Sequence, residues 1–332
     1  MKRLRISDEG LRNKNKIRNV FLKNGCLATF FVYMTEDERF MARCLQLARH
    51  GELTTAPNPM VGAVIVHEGR IIGEGWHRRF GGPHAEVNAV GSVSSADEAL
   101  LSESTIYVSL EPCSHYGKTP PCAELLVRKG FKRVVVGCLD PNEKVSGRGI
   151  NMLRQSGAEV VVGVLEKECR WLNRKFMTYH RLHRPYITLK WAESADGFID
   201  RSRKSADDGP AVRFSTPWTQ MLVHKLRATH EAILVGHRTW ELDRPSLTTR
   251  AWPGKDPKRL VLTSGTFDSI VYEQDVQSIL VEGGAKTLQT FIDADLWDEA
   301  FIERSDLVLR SGIKAPEMKT DLKGRPVHVN FA

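Results

Sequence analysis

The residues that decide the fold are PHAE at positions 83–86 and EPCSHYGKTPPC at positions 111–122. His84, Cys113 and Cys122 offer one imidazole and two thiolates, a mixture of borderline and soft ligands that suits zinc. Catalytic zinc sites use three protein ligands and keep a fourth position for water, whereas structural sites are usually closed by four. The pattern therefore predicts a catalytic zinc centre.

Glu86 lies two residues after His84, where a carboxylate suits proton transfer better than metal binding. Zinc deaminases carry His-x-Glu followed by Pro-Cys-x-x-Cys, with the glutamate as general acid and base. The first half is present here, whereas eight residues separate Cys113 from Cys122. Because zinc lowers the pKa of bound water from about 15.7 towards ~7, the pattern predicts hydrolytic deamination of an amidine-like ring carbon. The alternative is that these are ordinary core residues of a metal-free fold.

Strands and helices alternate around this stretch. Thr35 and Glu38 form a capping box at the start of a helix, and Glu68-Gly69 is a hairpin turn between two apolar runs. A helix should open at His84, and Pro120-Pro121 should start the helix that carries Cys122. Strands are predicted at 60–66, 71–76, 105–110, 133–137 and 159–163, with a helix near 149–155. This alternation indicates an α/β/α sandwich with ligands at strand and helix ends.

Composition narrows the function. The chain has 332 residues and a net charge of +8. Residues 1–33 hold eight basic and two acidic residues, so +6 of that charge lies there and the rest is nearly balanced, which disfavours a nucleic-acid partner. No apolar run is long enough for a membrane-spanning helix. Six cysteines in this length do not form a disulfide scaffold, so we expect a cytoplasmic enzyme.

The basic stretch 1–33 runs into an apolar segment that imitates a signal peptide but has no small-x-small cleavage site. We expect a disordered extension or an over-long start, with Met34 as the natural first residue.

The second half follows a segment rich in Arg and His at 172–184, where we place the domain boundary. A strand is predicted at 185–192, a helix at 216–228 and a strand at 232–236. A further strand at 278–281 leads through Glu282 to Gly283-Gly284 and a helix. Such a glycine pair lets backbone amides approach a phosphate, although it is more often an ordinary turn.

Several longer motifs carry a family resemblance over residues 34 to 310. They are TAPNPMVG at 55–62, GGPHAE at 81–86, the complete 111–122 stretch, DPN at 140–142 and GRG at 147–149. With them the chain resembles the bifunctional riboflavin-biosynthesis family, a pyrimidine deaminase joined to a pyrimidine reductase. The resemblance implies a cytidine-deaminase-like α/β/α domain at 34–180 and a dihydrofolate-reductase-like α/β domain at 185–332. It also implies zinc, NADPH and a small phosphoribosyl pyrimidine substrate, with homo-oligomerisation left open.

The same resemblance assigns site residues. In the first half the substrate positions are Asn58, His77, His115, Lys118, Asp140 and Asn142. Their chemistry suits a phosphorylated aminopyrimidine, since an amide can bond a ring edge and a lysine can attract phosphate. In the second half the substrate positions are Lys190, Arg227, Leu247, Arg250 and Glu282. The cofactor positions are Ala192, Thr239, Asp243, Gly283 and Gly284.

Two departures from the family pattern concern the reductase half. Only residues 264–277 separate a strand near 259–263 from the Glu282-Gly283-Gly284 motif, so a strand and a helix are missing and the domain is shortened. Residues 211–214 also lack the usual Ser and Trp. A deaminase with an impaired reductase half is therefore an alternative, as are a nucleic-acid or nucleoside deaminase and a non-catalytic scaffold that binds zinc or NADP.

Overall fold

The computed structural model describes residues 34–116, 120–141, 146–273, 275–318 and 321–331. The predictions for residues 1–33, Lys118 and Asn142 lie outside these ranges. The described chain forms two sheets, each flanked by helices, and a small two-stranded ribbon.

The first sheet has the strand order β2-β1-β3-β4-β5. Its strands are β1 (Gly62–His67), β2 (Arg70–Trp76), β3 (Thr105–Leu110), β4 (Arg133–Cys138) and β5 (Glu159–Val162). β1 pairs antiparallel with β2 and with β3, whereas β3, β4 and β5 run parallel. The predicted hairpin is confirmed, because Glu68 and Gly69 both have positive φ, as a type I′ turn requires.

Helices cover both faces of this sheet, so the predicted sandwich is confirmed. They are α1 (Glu36–Ala48), α2 (Ala85–Gly91), α3 (Cys122–Arg128), α4 (Arg148–Gln155), α5 (Glu166–Leu172) and α6 (Arg174–Leu182). α1 begins with the predicted capping box between Thr35 and Glu38. It packs Met41 and Cys44 against Val64 and Tyr107, while α2 and α3 pack Ala89 and Leu126 on the other face.

A close approach of α2 to β2 places His84 over the sheet. A Cβ on Gly75 would lie 2.3 Å from the backbone nitrogen of Ala89, so no larger residue fits there. His84 is the N-cap of α2, as its extended backbone shows. The first turn of α2 is therefore held against the sheet beside the end of β3.

The second sheet is entirely parallel, with the order β13-β11-β6-β10-β8-β9. Its strands are β6 (Tyr186–Glu193), β8 (Ala232–Gly236), β9 (Lys258–Leu262), β10 (Ser278–Val281), β11 (Glu299–Arg304) and β13 (Val327–Phe331). β7 (Phe198–Asp200) and β12 (Ile313–Lys314) form the ribbon.

Helices of the second half lie on both faces of its sheet. They are α7 (Pro217–Ala228), α8 (His237–Asp243), α9 (Phe267–Tyr272) and α10 (Ala285–Asp293). Leu288 and Phe291 of α10 pack with Leu189 and Ile279, while Leu280 and Val235 face Leu226 of α7. Within the described residues only α9 lies between β9 and β10, as the short 264–277 segment predicts.

The predicted boundary segment is mostly helical, since α6 covers its greater part. Cys44, Cys138 and Cys169 are buried free thiols, as expected of small apolar residues, and Cys26 lies outside the described ranges. Among the described helices, none combines the length and apolarity that crossing a bilayer needs.

Candidate functional site

The three predicted zinc ligands meet at the end of β3. The Nδ1 atom of His84 lies 3.5 Å from Sγ of Cys113 and 3.3 Å from Sγ of Cys122. All three ligand atoms lie within 4.8 Å of one another. Tetrahedral zinc with ordinary bond lengths would hold nitrogen and sulfur ligands about 3.6 Å apart. The donor set and its spacing therefore fit zinc.

The two thiols of this cluster differ in pKa, and therefore in how easily each becomes the thiolate that binds a metal. A hydrogen bond from Cys122 and the neighbouring His84 imidazole lower the pKa of Cys113 to about 4. The backbone N–H of Cys122 also donates to Sγ of Cys113 at 3.2 Å. The same pairing and burial raise the pKa of Cys122. The pairing thus favours loss of the Cys113 proton, and the Cys122 proton must also leave when a metal binds.

Glu86 lies in the first turn of α2 and is 3% exposed. Burial raises the pKa of this carboxyl group to about 7, and the neighbouring Cys113 thiolate adds to the effect. A group with this pKa can both accept and release a proton near neutrality. The structure therefore places a buried carboxyl group that could carry a proton beside the ligand cluster.

Asn58 and His77 lie next to the cluster. The His77 ring is 5.5 Å from the His84 ring, centroid to centroid. Its Nδ1 lies 3.0 Å from the Pro83 carbonyl oxygen and its Nε2 lies 3.1 Å from Nδ2 of Asn58. Because a carbonyl only accepts, we assign the proton to Nδ1, and Nε2 then accepts from the Asn58 amide. Burial lowers the pKa of His77 and favours this neutral form.

His115 and Asp140 lie on the two loops beside the cluster. His115 is exposed between the two cysteines, and Asp140 follows the end of β4. Sequence reasoning missed the residue that holds the second loop, which is Glu111. Its buried carboxylate accepts hydrogen bonds from the backbone N–H groups of Asp140, Gly147 and Gly149 at 3.3, 2.9 and 3.1 Å. The position of Glu111 in the Glu-Pro-Cys motif, two residues before Cys113, was the sequence signal that could have identified it.

In the second half, two predicted substrate residues pair with each other. Arg227 of α7 donates from Nε and Nη2 to the Glu282 carboxylate at 2.9 and 2.6 Å, and from Nη1 to the Thr248 carbonyl. Lys190 of β6 lies 3.7 Å from a carboxylate oxygen of Glu303. Glu303 was not predicted; it also accepts from the Ser215 hydroxyl. These groups lie near the carboxyl ends of parallel strands, where α/β sheets hold ligands.

Three other predicted positions have structural partners. Leu247 is buried against Ile233 and Leu280. Arg250 is exposed and donates to the Ser246 and Thr248 hydroxyls. Asp243 accepts two hydrogen bonds from Arg203, a buried residue that sequence reasoning missed because it lies 40 positions away.

The predicted glycine pair ends β10 and caps α10. Gly284 is the N-cap of that helix and, as a glycine, has no side chain that could cap it. A Cβ on Gly283 would lie 2.6 Å from Cβ of Thr287, so packing alone requires glycine at this position. A Cβ on Gly284 would meet only Thr239 Oγ1, at an ordinary 3.5 Å. Two predicted cofactor positions, Gly284 and Thr239, therefore lie next to each other. A third, Ala192, is half-buried on β6.

Comparisons with known families match both halves of the chain. Residues 34–138 match the cytidine and deoxycytidylate deaminase zinc-binding region, which includes all three ligands. Residues 185–268 match the RibD C-terminal domain. The expected fold class is confirmed, and so is a zinc-binding region in the first half followed by a RibD C-terminal domain in the second.

The chain is similar to proteins of riboflavin biosynthesis and to a solved structure. The riboflavin biosynthesis protein RibD of Aquifex aeolicus is 44% identical over 227 residues, which are 68% of this chain and 61% of that protein. RibD of Bacillus amyloliquefaciens is 38% identical over 287 residues, covering 86% of this chain and 72% of that one. A Thermotoga maritima crystal structure, a diaminohydroxyphosphoribosylaminopyrimidine deaminase/5-amino-6-(5-phosphoribosylamino)uracil reductase, matches with a TM-score of 0.76 and 36% identity, covering 88% of this chain and 93% of that one.

Proposed function

Because the chain belongs to the RibD family of riboflavin-biosynthesis proteins, we propose that it catalyses both reactions of that family. The first is hydrolytic deamination of 2,5-diamino-6-hydroxy-4-(5-phosphoribosylamino)pyrimidine. The second is NADPH-dependent reduction of the ribosyl group of the product to a ribityl group. The observation that carries the proposal is the meeting of His84, Cys113 and Cys122 with buried Glu86 beside them.

The deamination replaces an exocyclic amine of the ring with oxygen from water and releases ammonia. His84, Cys113 and Cys122 would hold zinc, which when bound supplies Lewis-acid chemistry that makes water nucleophilic at neutral pH. Glu86 takes one proton from water and gives it to the ring nitrogen. It then takes the proton of the hydroxyl group added to the ring and gives it to the amine, which leaves as ammonia as the C–N bond breaks. Its burial and its pKa of about 7 support both directions of transfer.

The remaining first-half residues position the substrate. Asn58 offers an amide whose orientation is fixed by His77. His115 and Asp140 stand on the loops beside the cluster, and Lys118 and Asn142 complete the set by family position. A cationic lysine suits the phosphate, and the amides suit the pyrimidine edge.

The second half would bind the deaminated product and NADPH, which supplies a hydride when bound. Lys190, Arg227, Leu247, Arg250 and Glu282 are the proposed substrate residues, and the Arg227–Glu282 ion pair fixes the geometry of two of them. The proposed cofactor residues are Ala192, Thr239, Asp243, Gly283 and Gly284. The uncapped N-terminus of α10 supports a phosphate there.

We place the two activities in domains 34–180 and 185–332 and expect a cytoplasmic enzyme without a nucleic-acid partner. Self-association is left open. A protein active only as a deaminase is the second candidate, because just one helix separates β9 from β10 in the described chain.

The test is to incubate zinc-loaded protein with the diaminopyrimidine nucleotide and to follow ammonia and NADPH oxidation together. Ammonia release followed by stoichiometric NADPH oxidation supports both activities. Ammonia without NADPH oxidation confines the function to the first half. No ammonia from zinc-loaded protein contradicts the proposal.

A further inference from the structure

The side chain of Asn173 holds the loop that carries Asn58. Asn173 lies between α5 and α6 and is 3% exposed. Its Oδ1 accepts the backbone N–H of Met60 and its Nδ2 donates to the Met60 carbonyl, both at 2.8 Å. An uncharged carboxamide is needed for this pair of hydrogen bonds. A carboxylate cannot donate a hydrogen bond, and an alanine side chain can neither donate nor accept one.

The bond to Met60 connects to the zinc ligands through Asn58. Met60 follows Asn58 by two residues in a loop that precedes β1. The Asn58 amide bonds His77, and His77 bonds the carbonyl of Pro83, the residue before His84. The position of the loop therefore sets where the Asn58 amide lies relative to the ligand cluster.

The next two residues reach into the second half. Arg174 donates from Nε and Nη2 to the Glu299 carboxylate of β11 at 3.3 and 3.2 Å. Glu299 is 2% exposed, so this pair is largely protected from water. Lys175 donates from Nζ to the carbonyl of Thr229, which ends α7. Three consecutive residues thus join one loop of the first half to two elements of the second.

Packing alone does not hold this loop. A cavity of about 100 Å³ separates Thr55, Asn58 and Met60 from Thr229, Glu231 and Ser278 of the second half. Because the loop borders a cavity on this side, directed hydrogen bonds such as those of Asn173 contribute to its position. The two hydrogen bonds between Asn173 and Met60 link the loop to the start of α6.

We propose that Asn173, Arg174 and Lys175 form a clamp through which the second half positions Asn58 for deamination. Asn173 is a positioning residue, and the second half has a supporting role independent of NADPH chemistry. The clamp contacts Glu299 of β11 and Thr229 at the end of α7, and neither residue belongs to the shortened segment 264–277. The second half can therefore position Asn58 even though its segment between β9 and β10 is short. This inference rests on the proposed deaminase function.

The kinetic test compares Asn173→Ala with wild type, using Asn151→Ala on the exposed surface of α4 as the matched control. We expect kcat/KM for ammonia release to fall about 10- to 100-fold, chiefly through KM, with zinc content unchanged. Asn173→Gln keeps the carboxamide on a longer side chain and should recover part of the loss; it also serves if the alanine variant does not fold. A kcat/KM within twofold of wild type in both variants overturns the inference.

A second readout does not depend on catalysis. Hydrogen exchange at the Met60 amide in zinc-loaded protein should increase at least tenfold in Arg174→Ala and Lys175→Met, although the hydrogen bonds of these side chains go to Glu299 and Thr229. Unchanged exchange in both variants overturns the link to the second half. If the wild type releases no ammonia, the proposed function fails, while the exchange measurement still decides whether the clamp exists.

Discussion

The two halves of the chain differ in whether the side chains of the candidate site are already arranged to bind a ligand. In the first half, three ligand atoms from three separate elements already lie within 4.8 Å, and a buried carboxylate with a raised pKa stands beside them. In the second half, the charged residues expected to bind ligands are paired with protein groups, as in Arg227–Glu282, Arg203–Asp243 and Lys190–Glu303. A metal site must bring its ligands together, whereas a cleft for larger ligands can keep its charges satisfied until they arrive.

The largest expected effect is on the first half. Glu86→Ala should retain zinc but lose deamination by about 10²- to 10⁴-fold, because the carboxylate carries the proton and does not bind the metal. Ammonia release and zinc content measured on the same samples check this. Glu103→Ala, at an exposed position, is the control and should match wild type. Loss of zinc from the Glu86 variant would show that it is a ligand.

The next largest effect is on the second half alone. Glu282→Gln removes the charge that Arg227 pairs with and should reduce NADPH oxidation by at least tenfold, while ammonia release stays as in wild type. Leaving Arg227 without its partner in a mostly buried position should also lower the free energy of unfolding by about 3 kcal/mol. Exposed Glu273→Gln is the matched control. An equal loss of both activities would contradict the assignment of separate sites.

The smallest expected effect concerns the pH dependence of the first half. Arg133 donates to both carboxylate oxygens of Asp37 and, as the main cause, lowers its pKa. The carboxylate therefore stabilises the fold above its unfolded pKa of about 3.9, and the stabilisation is lost as pH falls through the folded value. Asp37→Asn should lose about 1 kcal/mol at pH 7 and show a shallower decline in acid, measured by urea unfolding. An unchanged acid profile would contradict this.

Sequence alone anticipated the features encoded by neighbouring residues. The Thr35–Glu38 capping box, the Glu68-Gly69 turn and the zinc ligands at element ends each follow from local pattern and from what those elements must do. The missed residues act across long sequence distances. Asn173 bonds Met60, Glu111 accepts from the backbone N–H groups of Asp140, Gly147 and Gly149, and Arg203 binds Asp243. No periodicity connects such pairs, because tertiary packing alone brings them together.

The glycine pair shows a second limit. The sequence suggested that both glycines admit a phosphate, yet Gly283 is required by Thr287 of its own helix, and only Gly284 is free of that constraint. The reason for a small residue depends on which atoms face it, and at Gly283 those atoms belong to Thr287, four residues further along the chain.

The most direct measurement is a zinc titration of metal-free protein with ammonia release followed at each step. We predict that activity rises in proportion to bound zinc, reaches its maximum at one zinc per chain and is absent in Cys113→Ser at every zinc level. Ammonia release that does not depend on zinc, or one bound zinc per chain without any ammonia release, would contradict the assignment of His84, Cys113 and Cys122 to a catalytic deaminase centre.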